Sequence, residues 1–81
     1  MGLTPKQESI TGTSLTGSSG DANQTYELEN EEAISAQMQI IVANAILQVT
    51  VDFTLSDNTI TFLKPVWDDQ NITIDYFIIY K

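Results

Sequence analysis

The 81-residue chain contains no cysteine and no histidine, which removes disulfides, thiolate chemistry and the commonest zinc ligands together. Without histidine, and with three lysines that have no catalytic signature beside them, no Ser or Thr can be assigned a general base. Positive charge is nearly missing as well. Lys6, Lys64 and Lys81 stand against eleven acids for a net charge of −8, and nothing basic occurs between Lys6 and Lys64. Direct nucleic-acid binding is thereby disfavoured, because affinity for the phosphate backbone rests on Lys and Arg. A basic protein surface stays open as a partner, beside plain solubility as the reason for the acidity. No apolar run reaches the length of a membrane span. Met1 to Gly20 shows neither the basic start nor the apolar core of a secretory signal, and Lys6 stands where a myristoylation start wants a hydroxyl. A chain this short buries only about 60 to 65 per cent of its unfolded surface, so oligomerisation is the available source of extra burial.

What is present is two-residue periodicity, concentrated between Val49 and Tyr80. Val49, Val51, Phe53 and Leu55 alternate with Thr50, Asp52 and Thr54, the pattern of a strand with one buried side. Ser56, Asp57 and Asn58 supply a turn, and Ile60 and Phe62 then alternate with Thr59 and Thr61, so the two runs predict a β-hairpin. A third run alternates Ile72, Ile74, Tyr76, Ile78 and Tyr80 with Thr73, Asp75, Phe77 and Ile79. Its second half is apolar on both faces, which predicts a central strand or one whose outer face is covered. Between these runs, Pro65 and the Asp68-Asp69-Gln70-Asn71 series predict a surface loop. Trp67 in that loop is either folded over the open end of the core or exposed as a contact anchor.

Upstream, residues 1–22 are rich in Thr, Ser and Gly and read as an extended polar N-terminal arm, attached to a domain over 23–81. Two compatible readings hold the arm down: contacts with other subunits, or intramolecular pinning with Ser9 to Leu15 added as an edge strand. Gln24 to Leu28 reads as a short strand with Tyr26 and Leu28 on one face. Residues 31–42 carry competing signals. Asn30 with Glu31 and Glu32 would start a helix, whereas the β-branched Ile40, Ile41 and Val42 before an Asn44-Ala45 turn favour a strand from Met38 to Ala43, the preferred reading. The expected core is Tyr26, Leu28, Val51, Phe53, Ile60, Phe62, Ile72, Ile74 and Tyr76.

Several short motifs stand in a fixed order: Gly20, Asp21, Asn23, Thr25, Tyr26 and Leu28; then Asp52, Phe53 and Thr54; then Asn58, Thr59, Ile60, Thr61 and Phe62; then Ile72, Ile74 and Tyr76. Over roughly residues 20–77 this order resembles a module of tailed-phage virion proteins, found in head decoration and head fibre proteins and in tail or baseplate fibres. Two departures stand out. Val42-Ala43-Asn44-Ala45 replaces a Val-Asn-Gly turn, and Asp69-Gln70-Asn71 replaces a Gly-Asp, so both turns lose the residue that takes positive φ most easily. The resemblance implies an all-β fold, a small antiparallel β-sandwich, with no catalysis, no cofactor and a role in building or decorating a particle.

Sharper chemistry has little support in the residues. Asp68 with Asp69, or Asp57 with Asn58, lacks the alternating spacing of a calcium loop, and paired carboxylates on so short a chain have no walled cleft for a glycoside. Asn23-Gln24-Thr25 and Asn71-Ile72-Thr73 fit a glycosylation pattern that matters only in a secretory route. The expectation is therefore a non-enzymatic virion subunit made in the host cytoplasm, most simply a capsid decoration or cementing protein, with other virion proteins or further copies of itself as partners and no metal, nucleic acid or membrane. Its expected inter-subunit contacts are Leu3, Ile10, Leu15, Trp67, Phe77, Ile79 and Tyr80. The alternatives are a tail or baseplate fibre component and a carbohydrate-binding adhesin module.

Overall fold

The computed structural model describes residues 2–29 and 34–80. Among the described residues, seven strands form two antiparallel sheets. One sheet has the order β1-β7-β3-β4 and the other β2-β6-β5, with β1 Gly2–Thr11, β2 Gln24–Glu27, β3 Ile34–Val42, β4 Ala45–Ile46, β5 Phe53–Ser56, β6 Thr59–Phe62 and β7 Asn71–Tyr80. The chain is thus all-β, as its alternation predicts, and its two antiparallel sheets make the small sandwich that the resemblance implies.

β7 runs through the middle of the larger sheet, paired with β1 on one side and β3 on the other. Its doubly apolar second half follows from that position: a central strand exposes no edge, and its inner face carries Ile72, Ile74, Tyr76 and Ile78, all buried. β5 and β6 form the predicted hairpin, with Ser56 opposite Thr59 and Asp57 at φ 53 in the turn. Phe53, Ile60 and Phe62 complete the core with Leu28, Ile40, Val42, Leu15 and Val66, while Tyr26 packs half-buried against it. The strand reading of residues 38–43 holds and extends back to Ile34; residues 30–33, where the competing helix would begin, lie outside the described residues.

The N-terminal segment is extended, and it is also structural. Each residue from Gly2 to Thr11 pairs with β7, from Gly2 opposite Tyr80 to Thr11 opposite Asn71. The intramolecular reading is realised, over Gly2–Thr11 where Ser9 to Leu15 was expected. A 3-10 turn at Gly12–Ser14 follows, and Leu15 then enters the core. Pro5 sits opposite Phe77 in this edge strand. A proline is tolerated there only because its donor-free nitrogen faces away from the ladder, so it blunts the free edge against a further strand. The opposite edge, β4, is two residues long. β4 pairs only with Ile41 and Val42, so the earlier part of β3 has no ladder partner on that side.

The strand predicted from Val49 starts only at Phe53. Residues 49–52 form a closed turn, in which Thr50 N–H donates to Phe53 O at 2.7 Å, Asp52 N–H to Gln48 O at 2.8 Å, and Gln48 N–H to the Asp52 carboxylate at 2.9 Å. Val51 is consequently 53% exposed and does not belong to the core. The alternation of Val49 and Val51 with threonine imitates a strand, but the chain crosses here from one sheet to the other and must fold back on itself.

The β3–β4 hairpin turns through Ala43 and Asn44, at φ 48 and 70. Positive φ at both central residues is the geometry that Asn-Gly adopts most easily, and Ala pays for it with its Cβ. Ala43→Asn combined with Asn44→Gly is expected to stabilise the fold by about 1 kcal/mol, raising Tm by about 4–8 °C in a calorimetric melt. An unchanged or lower Tm would show that the turn is not strained.

Candidate interaction surface

Polar chemistry inside the sandwich gathers at Glu8 of β1. Its carboxylate accepts from the Tyr26 hydroxyl at 2.5 Å and from the Tyr76 hydroxyl at 2.5 Å, and from the Glu29 N–H at 3.2 Å. Burial, then the hydrogen bond to Glu8, then its negative charge push both phenols well above the ordinary value of 10.0. Three strands from two sheets meet at this one carboxylate. Both of its oxygens accept from these donors, so the cluster joins strands across the sandwich. Among the described residues, no group of three or more His, Cys, Asp or Glu is placed to hold a metal.

The surface is more informative than the interior. Among the described residues the exposed large hydrophobic side chains are Leu3, Ile46, Val49, Val51 and Trp67. Three of these five fall within six residues, where Ile46 is 63% exposed, Val49 57% and Val51 53%. The turn described above pushes both valines outward, and Thr50 between them sits at φ 66. A β-branched residue rarely adopts that conformation, and it persists only where surrounding hydrogen bonds impose it. A small cleft of about 180 Å³ opens between the sheets, lined by Val42, Leu47, Phe62, Pro65 and Val66 together with Asp52, Lys64 and Gln70. Three exposed apolar side chains so close in the chain make a surface of the kind that gains by association.

The residues expected at subunit contacts are dispersed. Leu3 is exposed near the free end of β1, and Phe77, opposite Pro5, is half-buried on the outer face of the same sheet. Ile10 packs partly against the core. Leu15 is a core residue and offers no contact surface, because the 3-10 turn after β1 directs the chain inward. Ile79 and Tyr80 belong to β7, paired with Leu3 and Gly2, and their side chains lie outside the described part. Trp67 is 50% exposed at the loop end, neither a closed lid nor fully free. The sequence reading missed Ile46, Val49 and Val51 as surface residues; the available signal was Asn44 followed by a short apolar run that had to cross between sheets.

Comparison of the chain with protein families, with curated proteins and with solved structures finds no match in any of the three.

Proposed function

We propose that this chain is a structural subunit of a tailed-phage particle, a head decoration or cementing protein that binds neighbouring shell subunits and performs no chemistry. The observation that carries the reading is the exposed apolar ridge of Ile46, Val49 and Val51 on a short acidic domain. The ordered motifs over residues 20–77 supply the phage assignment by resemblance. Pro5 in the edge strand β1 disfavours addition of a further strand along that edge. A rigid body with a few apolar anchors suits a repetitive shell, where each contact recurs at every equivalent position. Burying a half-exposed Ile or Val contributes about 1 kcal/mol or more, so three such contacts repeated by symmetry hold a subunit firmly.

The triple variant Ile46→Thr, Val49→Thr, Val51→Thr tests this. It is expected to fold, with a stability change of about 1 kcal/mol or less, and to lose at least about tenfold in incorporation into particles, read by mass-spectrometric stoichiometry. Wild-type incorporation of the triple variant would overturn the role of the ridge. In the same inventory a copy number on the order of hundreds assigns the head shell, and a copy number near that of a tail symmetry assigns a tail or baseplate site.

A further inference from the structure

The larger sheet has one face turned away from the smaller sheet. β7 buries Ile72, Ile74, Tyr76 and Ile78 on the inner side, so Thr73, Asp75 and Phe77 face outward. Opposite residues of neighbouring strands share a face. Pro5 and Gln7 of β1, opposite Phe77 and Asp75, therefore face outward too, as do Gln39 and Ile41 of β3 and Ile46 of β4. Leu3, two residues before Pro5, joins them. None of these side chains is buried, and Leu3 is 53% exposed and Ile46 63%.

Charge is almost missing from this face. The chain carries eleven acids and three lysines, yet among the described residues of the face only Asp75 is charged, and its carboxylate accepts from Gln7 Nε2 at 2.8 Å. The face is apolar at both ends, with Leu3, Pro5 and Phe77 at one and Ile41 with Ile46 at the other. Beside Phe77 lies a depression of about 370 Å³, lined also by Met38, Gln39 and Asp75. Exposed apolar side chains and a hollow thus occur together on one patch, which is what a self-complementary two-fold contact needs.

Three strands of about ten residues, at about 3.3 Å per residue and about 4.8 Å between strands, give a footprint on the order of 500 Å². Two copies would bury about 1,000 Å² together, enough for a specific but weak interface. A basic partner finds only one acid to pair with here, whereas a second copy brings an equally uncharged face and avoids the like charges carried elsewhere.

We propose that two copies of this chain associate through the outer faces of their larger sheets, with Leu3, Pro5 and Phe77 as apolar contacts and Asp75 as the one opposing charge. Ile46 is common to this face and the apolar ridge, whereas Val49 and Val51 lie in the turn after β4. The dimer belongs to the isolated chain and does not rest on the virion reading.

Sedimentation equilibrium of the full chain is expected to show monomer and dimer in exchange, with a dissociation constant on the order of 100 μM. Raising salt from about 0.05 M to about 0.5 M should tighten it by about threefold or more, because both copies are acidic. Asp75→Asn, which keeps an oxygen for Gln7, should also tighten it by about threefold or more. Leu3→Glu should weaken it by about tenfold, and Leu3 is exposed enough for that variant to fold. Val49→Thr with Val51→Thr should leave it unchanged. A wild-type chain that stays monomeric at about 1 mM would overturn the proposal. So would a dimer that Leu3→Glu leaves intact, that Asp75→Asn or added salt weakens, or that the two valine substitutions abolish, the last assigning association to the ridge. Particle incorporation is read separately, so either result stands without the other.

Discussion

Removal of residues 1–14 is expected to abolish folding of the remaining chain. The deletion takes away the whole of β1 and with it every ladder partner along one side of β7. It also removes the carboxylate that receives two tyrosine hydroxyls and the half-buried Ile10. What is left would present an unpaired strand with Ile72, Ile74, Tyr76, Phe77 and Ile78 along its length, a template for aggregation. A domain of this size has about 4–12 kcal/mol of stability in total, and the lost ladder and packing exceed it. The expected observation is collapse of amide dispersion in the NMR spectrum of residues 15–81, or recovery of that fragment only as aggregate. A synthetic peptide of residues 2–14 added in trans should restore the dispersed spectrum by adding back the missing strand. A soluble 15–81 fragment with a cooperative melt would show instead that the N-terminal segment is a detachable arm, free to bind neighbours.

The second large effect is expected at Glu8. Glu8→Ala leaves the Tyr26 and Tyr76 hydroxyls without their acceptor, and Tyr76 is buried. A hydrogen bond to a charged group contributes about 1.5–3 kcal/mol, and Tyr26 can recover part of its loss from water, so a cost of about 3 kcal/mol is expected. Glu8→Gln keeps one acceptor oxygen and should cost roughly half as much. Chemical denaturation with unchanged m-values measures both. An alanine variant within about 0.5 kcal/mol of wild type would mean that the cluster contributes little.

The same cluster sets an alkaline limit. Both phenols have folded-state values raised above the unfolded value of 10.0. Below pH 10 they are neutral in either state and their contribution is complete. Above it the unfolded chain loses these protons and the folded chain keeps them, so stability falls as pH rises toward the folded values. Tyrosinate absorbance from Tyr26 and Tyr76 should therefore appear together with loss of the folded signal, and the Glu8→Gln variant should show it at lower pH. Ionisation of both phenols at the ordinary value in a still-folded protein would contradict the hydrogen-bonded arrangement.

Much of the sandwich was legible in local pattern. The inward faces of β2, β5, β6 and β7 follow from alternation, because side chains on a strand change face at every residue whatever the partner strand is. The same rule misled at Val49 and Val51, where two periods of alternation occupy a turn. It was silent about β1, whose polar composition gives no sign of a buried face. The candidate surface was poorly legible for a related reason: Leu15 looks like a lone apolar residue on a polar arm, yet it is core, while Val51 looks like core and is exposed.

The residues alone determined that this is a small acidic all-β chain without thiol or imidazole chemistry, and which side of most strands faces inward. Tertiary structure decided that the N-terminal segment is a strand of the sheet, that one glutamate joins three strands, and that Ile46, Val49 and Val51 stand outside. The reason is separation along the chain. The bond from Tyr76 to Glu8 spans 68 residues, and no local pattern encodes a partner so remote; only closure of the sandwich, with β1 laid against β7, brings them together.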